Sequence, residues 1–319
     1  MKTTNLTKLL LAAALPGAAA FGVIPVTDNF GIRGYIDGSY SNLDEGNNPD
    51  VDRFRVDAAD IDLLINTDKV SSEIHIASGV NGGTTSIEQA FLSLDLGGGF
   101  SVTAGKFESD LGFEGDEAYK LYQQSTAYTF GSDATSEYTN LNYIQGARAS
   151  YVMDALSASV AVVDNAWGAS GGDADELGFE AFVSYNAMQG LTIGVGTAQG
   201  DENNTADIDD LYNVWVQYNG FEDLILAAEY NNYEMKGGID GDSWLIMGNY
   251  SFGNSVAATV RYSQVDEDNT FEGDKFTFSP SYSFTDNLLG VLEYSTGEQG
   301  APNALKDFDF FAAEAIFTF

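Results

Sequence analysis

The chain has 319 residues, a formal net charge of −35, one histidine and no cysteine. Without cysteine there is no disulfide scaffold and no thiolate metal centre, and a charge of that sign excludes a basic nucleic-acid-binding surface. Mean hydropathy is −0.13, and no segment after the first residues approaches the roughly 18 apolar residues a membrane helix needs. A membrane protein of this composition is therefore a β-barrel, whose strands alternate in polarity and average to near-neutral hydropathy.

The opening "MKTTNLTKLLLAAALPGAAAFG" sets Lys2 and Lys8 before the apolar run Leu9–Leu15 and the small residues Gly17–Ala20. That order is a secretory signal peptide cut after Ala20; the apolar run is too short for a transmembrane anchor. Loss of those twenty residues and their two lysines leaves 299 residues, 21–319, with a formal charge of −37. One barrel domain is expected over this whole stretch. Its first strand starts within about ten residues of the cut, which argues against a plug domain.

From there a period of two dominates. In "FGIRGYIDGSY" the residues Phe30, Ile32, Ile36 and Tyr40 share one face, and Arg33, Tyr35, Asp37 and Ser39 share the other. "YNVWVQY" (212–218), "VAATVRYS" (256–263) and "FTFSPSYSF" (276–284) repeat the split, which is the signature of strands with one apolar face. Short connections at Thr67–Lys69, Gly97–Gly99, Met153–Ala155, Met188–Gly190, Gly220–Asp223, Gly253–Ser255 and Thr285–Asn287 alternate with longer ones. The longer set is Asn42–Asp50, Gly79–Ser86, Glu108–Thr139, Ala166–Glu176, Gly200–Asp210, Met235–Asp242, Asp266–Asp274 and Gly297–Lys306. Seven short and eight long connections join sixteen strands in an up-and-down meander. The expected fold is all-β: a 16-stranded antiparallel transmembrane β-barrel with a long third loop that can fold into the lumen.

Aromatic residues mark the rims. Tyr151, Tyr185, Tyr218, Phe252, Phe284 and Phe319 recur every 32 to 35 residues beside the short turns, and Tyr230, Tyr262 and Tyr294 recur every 32 toward the long loops. Two aromatic girdles are what two membrane interfaces select. A soluble sandwich or solenoid of that period would not put every long loop on one side. The chain ends "FFAAEAIFTF", read as the sixteenth strand, with Phe311, Phe317 and Phe319 toward lipid and Glu314 and Thr318 inward.

The five arginines, Arg33, Arg53, Arg55, Arg148 and Arg261, alternate with apolar or small residues and are expected to face the lumen. The lysines of the mature chain are read as lying in turns, loops or strand ends. The third loop carries Glu108, Asp110, Glu114, Asp116 and Glu117. Acids on an inward loop opposite wall arginines would set a transverse field at the narrowest point. Ser279, Ser281, Ser283, Thr192 and Gly194 are small inward residues that suit a water-filled pore, whereas inward Tyr35, Phe91 and Trp215 suit a sugar slide. His75 is expected to point to the lumen with Glu73, the wrong direction for a lipid-facing Ser–His hydrolase, so no enzyme and no cofactor are expected. The acidic stretches 201–210 and 266–274 have oxygen donors for Ca²⁺ but not the spacing of a helix–loop–helix site.

The strand count, the long loop after the fifth strand, the wall arginines and the terminal Phe319 resemble the general porins of the Gram-negative outer membrane. The stretch "IEQAFLSLDLGGGFSVTAGKFESDLGFEG" (87–115) is similar to β-barrel porin family 2, which carries a comparable strand–turn–strand "GKF" segment before a long loop. The resemblance implies an outer-membrane porin passing small hydrophilic solutes and ions by passive diffusion, a homotrimer, and contacts with outer-membrane lipid and lipopolysaccharide. It implies a constriction between the loop acids and Arg33, Arg53, Arg55 and Arg148. The "PEFGG"-type loop sequence of general porins is absent here. Alternative expectations are a substrate-specific channel, such as one for sugars, and a surface adhesion or structural barrel with a blocked lumen.

Overall fold

A computed structural model describes residues 22–46, 50–78, 85–131, 134–135, 143–164, 177–200, 208–235, 238–253 and 255–319. The expected signal peptide, 1–20, and most of the acidic stretch 201–210 lie outside the described residues.

Sixteen strands build the wall. They are β1 (Phe30–Asp44), β2 (Val51–Asn66), β3 (Val70–Ser78), β4 (Thr85–Gly97), β5 (Phe100–Glu108), β6 (Tyr143–Met153), β7 (Leu156–Val163) and β8 (Gly178–Met188). Then come β9 (Leu191–Gln199), β10 (Ile208–Tyr218), β11 (Leu224–Met235), β12 (Ile239–Ser251), β13 (Val256–Glu267), β14 (Phe271–Thr285), β15 (Leu288–Gly300) and β16 (Lys306–Thr318). Each pairs antiparallel with its neighbour in sequence, and β16 pairs with β1 from Asp309↔Asp44 to Thr318↔Tyr35, so the sheet closes. No helix among the described residues is long and apolar enough to cross a membrane; the crossing is made by strands.

The two faces follow the period of two. On β16, Phe311 and Phe317 are exposed on the outside, while Ala312, Glu314, Ile316 and Thr318 are buried inside. The same outward exposure holds for Tyr185, Phe252 and Phe284 by the short turns and for Tyr230 and Tyr294 toward the other rim.

The seam carries the closure. Phe319 N–H donates to the Gly34 carbonyl and Gly34 N–H to the Phe319 carbonyl, both at 2.9 Å. Below that point β1 would present a bare edge. A short segment, Ile24–Thr27, folds back and pairs there, with Ile24↔Ile32 and Pro25↔Gly31. Pro25 lacks an N–H and suits an edge strand. Gly34 permits the terminal ring to lie against β1: a Cβ at Gly34 would stand 2.6 Å from the Phe319 ring and 2.4 Å from the Asp60 carbonyl oxygen.

The long-loop rim differs from expectation in its second half. Met235 and 239–242 are strand, with 236–237 outside the described residues, and Asp266–Asp274 is strand apart from a three-residue turn at 268–270. Asp240, Asp242, Asp266, Glu267, Glu272 and Asp274 thus belong to paired strands that rise beyond the apolar belt. Polar residues on both faces there erase the alternation on which a strand assignment rests. The stretch 266–274 is therefore a hairpin tip, with Asn269 at φ 58° supplying the turn.

Gly34→Ala is expected to cost about 1–3 kcal/mol by overpacking the seam, seen as a lower unfolding temperature on semi-denaturing gels. Gly38→Ala is the control, since its Cβ would meet only the Arg55 carbonyl oxygen at 3.5 Å. Equal unfolding temperatures for the two variants would contradict the seam assignment.

Candidate functional site

The third loop leaves β5 at Glu108 and turns into the barrel. Its described residues, 109–131 and 134–135, hold one short 3₁₀ turn, Ala118–Lys120, and one two-residue strand pair, Thr129–Phe130 with Ala134–Thr135. A segment with so little internal hydrogen bonding must satisfy its backbone elsewhere, and here inward wall side chains do so. Glu229 on β11 accepts from Phe113 N–H at 2.7 Å, and Glu293 on β15 accepts from Ser125 N–H at 2.8 Å. Asn213 on β10 accepts from Gly112 N–H at 3.3 Å. Donors on the wall meet loop carbonyls: Lys275 on β14 donates to Thr126 and Thr129 at 2.7 Å each, Thr259 on β13 to Tyr122 at 2.9 Å, and Ser263 on β13 to Ala127 at 2.6 Å.

Apolar contacts complete the docking. Tyr122, Ala127, Tyr128 and Phe130 of the loop are buried with Ile225, Ala227, Leu245, Met247, Val265 and Phe308 of the wall. Leu111 packs with Phe107, Ile144, Ala161 and Leu211. Its methyl occupies the space that a Cβ at Gly196 on β9 would take, at 2.1 Å. The small inward residues therefore serve packing as well as space. Gly194 lies under the Trp215 ring, and Ser279 is fully buried, donating to the Leu292 carbonyl. Trp215 stacks near Phe182 and is met by Phe113 of the loop, with ring centroids at 6.2 and 6.1 Å. Phe91 is partly buried against the Leu111 cluster.

The arginines do not form one group. Arg261 is fully buried on β13, ion-paired with loop Glu114 and donating to the Ser125 and Thr126 carbonyls. Arg148 pairs with loop Asp110 at 2.9 Å and lies over the Phe107 ring at 4.5 Å. Arg33 meets wall acids instead, Asp62 on β2 at 2.6 Å and Glu73 on β3 at 3.0 Å. Arg53 and Arg55 stand opposite Ser41 and Ser39, on the inward side but exposed near the loop end of β2. A clean facing pair of charged walls, as the sequence suggested, is thus replaced by contact ion pairs. Glu108 likewise pairs with Lys120 within the loop at 2.6 Å.

Sequence reading missed Lys275, a mid-strand inward residue only 1% exposed, and the wall acids Glu180, Glu229 and Glu293. The available signal was an acid on the inward phase of a strand, as in Glu229 between inward Ala227 and Asn231. His75 does point inward. Asp62 Oδ1 lies 3.2 Å from its Nδ1 and Glu73 Oε2 lies 3.0 Å from its Nε2, with Gln89 Nε2 3.0 Å from Nδ1.

Glu117 bridges the loop to this side. Tyr35 on β1 donates to its Oε2 at 2.6 Å, and the Tyr143 hydroxyl lies 3.2 Å from its Oε1. Burial pushes the Glu117 carboxyl up to about 7; Lys120 and the Tyr35 hydrogen bond oppose, while Asp60 and Asp116 add to the rise. Burial also raises the Asp116 carboxyl.

Residues 29–319 match the family described as "Putative beta-barrel porin-2, OmpL-like", and the chain belongs to that family. No curated protein matches it in sequence. Its fold is similar to the outer-membrane channel DcaP of Acinetobacter baumannii, with TM-score 0.69 and 11% identity over 91% of this chain and 97% of that one. It is also similar to Salmonella typhi OmpF in complex with daunomycin, with TM-score 0.69 and 13% identity over 93% and 100%. The anion-selective porin from Comamonas acidovorans aligns with TM-score 0.67 and 11% identity over 91% and 99%. Family and fold together define a bacterial outer-membrane β-barrel of the channel-forming type.

Arg261→Ala strands buried Glu114 without its cation, a loss of about 3–5 kcal/mol. Cleavage by a glutamate-specific protease within 109–131 should then rise at least about tenfold in detergent, with Arg53→Ala unchanged. Equal cleavage of both variants would refute the docking.

The folded barrel holds the Glu117 proton up to about pH 7, whereas the unfolded chain releases it near 4.5. Folded protein binds more protons between those values, so stability falls as pH rises through that window. Glu117→Gln should flatten that part of the curve of unfolding temperature against pH; an unchanged slope would count against the assignment.

Proposed function

We propose that the protein is a porin of the Gram-negative outer membrane that passes small hydrophilic solutes and ions down their gradients. The observation that carries this reading is a closed sixteen-strand wall whose third loop is docked inside the lumen by wall side chains. A sixteen-strand barrel is wide enough for a water channel, and an inward loop narrows it at mid-depth. The constriction residues are the loop acids Glu108, Asp110, Glu114, Asp116 and Glu117 with the wall bases Arg33 and Arg148, while Arg261, fully buried, anchors the loop instead of lining the path. Arg53 and Arg55 act at the mouth.

Cations are the favoured ions. Arg33, Arg148 and Arg261 are each spent on an acid in contact, while Glu117 and Asp116 have no arginine partner among the described residues. The acidic rim of hairpin tips concentrates cations before entry. A substrate-specific channel is the second reading, supported by the edge-to-face pair Tyr35–Tyr119 between wall and loop, with centroids at 5.2 Å. Catalysis has no place in this account, since the one histidine is held by carboxylates and an amide, not by a serine. The outward apolar belt fits outer-membrane lipid and lipopolysaccharide. A homotrimer fits the porin class, and one structural neighbour, OmpT of Vibrio cholerae, is described in a trimer form.

Two recordings test the reading. Liposomes carrying the protein should swell in small sugars, at rates falling smoothly with sugar size; a sharp preference for one sugar would favour the specific channel. Under a salt gradient the reversal potential should have cation sign, and an anion sign would overturn the selectivity.

A further inference from the structure

A second chemistry lies where the third loop meets the β2–β3 wall. Asp60 on β2, His75 on β3 and Glu117 on the loop are all buried. One ligand atom from each lies within 4.8 Å of the other two. The β2–β3 hairpin and the third loop, two strands further along the chain, converge here, so the grouping is a product of the fold. One imidazole nitrogen and two carboxylate oxygens form a donor set suited to a borderline divalent cation such as Zn²⁺.

Two independent observations point to a ligand. Asp60 is 3% exposed, yet its Oδ1 has no hydrogen-bond partner among the described residues. A buried carboxylate oxygen without a donor is costly, and a cation would satisfy it. The His75 ring, moreover, is already oriented at both nitrogens, by the Gln89 amide at Nδ1 and by Glu73 at Nε2, and buried Asp62 Oδ1, 3.2 Å from Nδ1, is likewise without a hydrogen-bond partner among the described residues. Metal-bound imidazoles commonly present their other nitrogen to a carboxylate. Whichever nitrogen takes the ion, one carboxylate remains behind the ring and the displaced one stays within reach as a further ligand.

The charge balance agrees. Asp60, Asp62, Glu73 and Glu117 surround the position, and Arg33 is the nearby guanidinium. Its repulsion of an incoming cation is offset by its own contacts with Asp62 and Glu73. We propose that Asp60, His75 and Glu117 form a divalent-cation site that ties the third loop to the barrel wall. The bound ion links β2, β3 and the loop at one point, apart from the Arg261–Lys275 anchor on β13 and β14. Binding is separable from conduction, because it is read on detergent-solubilised protein whether or not the lumen conducts.

His75 is the only histidine of the sequence, so ¹⁵N-histidine labelling of the tag-free chain reports a single imidazole. Titration with Zn²⁺ alone should shift a His75 ring nitrogen, saturating at one ion per chain. Asp62→Asn, which removes the carboxylate behind the ring, should weaken binding about 10–100-fold. Glu117→Gln should weaken it at least as much. Ring signals that stay in place under excess Zn²⁺ would overturn the proposal. So would wild-type affinity in Glu117→Gln, because the ion would then be held without the loop.

Discussion

Inside a bilayer an unpaired backbone amide or carbonyl costs several kcal/mol, and a sheet with a free edge exposes a row of them. Everything else in this chain rests on removing that edge. The last residue, Phe319, exchanges both backbone hydrogen bonds with Gly34. Ile24–Thr27 then covers the stretch of β1 that β16 does not reach. Once the wall is closed, its two faces meet different solvents, and the period of two in the sequence becomes a lipid face and a lumen face. The terminal aromatic is thus a structural part of the seam as well as a member of the rim girdle.

Closure creates the lumen, and the lumen receives the loop. A chain of little regular structure can sit there only if its amides and carbonyls find partners, and the wall provides them. Glu229 and Glu293 receive loop amides, and Lys275 and Arg261 receive loop carbonyls. Buried charges of this kind are expensive to leave alone and acceptable when fully bonded. Polarity in the barrel therefore holds the loop first and shapes the path of solutes second. The expected field between facing charges gives way to contact pairs, and acidic residues of paired strands gather at the rim.

Much of this was legible in sequence because strand identity, facing and turn position are local properties with a fixed period. Phe311, Glu314, Phe317 and Thr318 fall on the faces that alternation assigns them, and the strand count and third loop follow from the same pattern. Partners across the lumen were not legible. Glu114 and Arg261 are 147 residues apart, and nothing near either names the other. Lys275 was misplaced for a related reason: it follows Asp274 in a stretch polar on both faces, where alternation vanishes although the strand continues. Ile24–Thr27 went unread because all four residues are exposed and show no contrast of faces.

The account makes the loop the element that sets the width of an otherwise open barrel. Single-channel conductance in a planar bilayer tests that most directly, comparing the intact protein with a variant whose residues 112–130 are replaced by a short Gly-Ser connection. The account predicts discrete steps for the intact protein and larger steps for the variant. Steps of equal size, or an intact protein that never conducts, would contradict it.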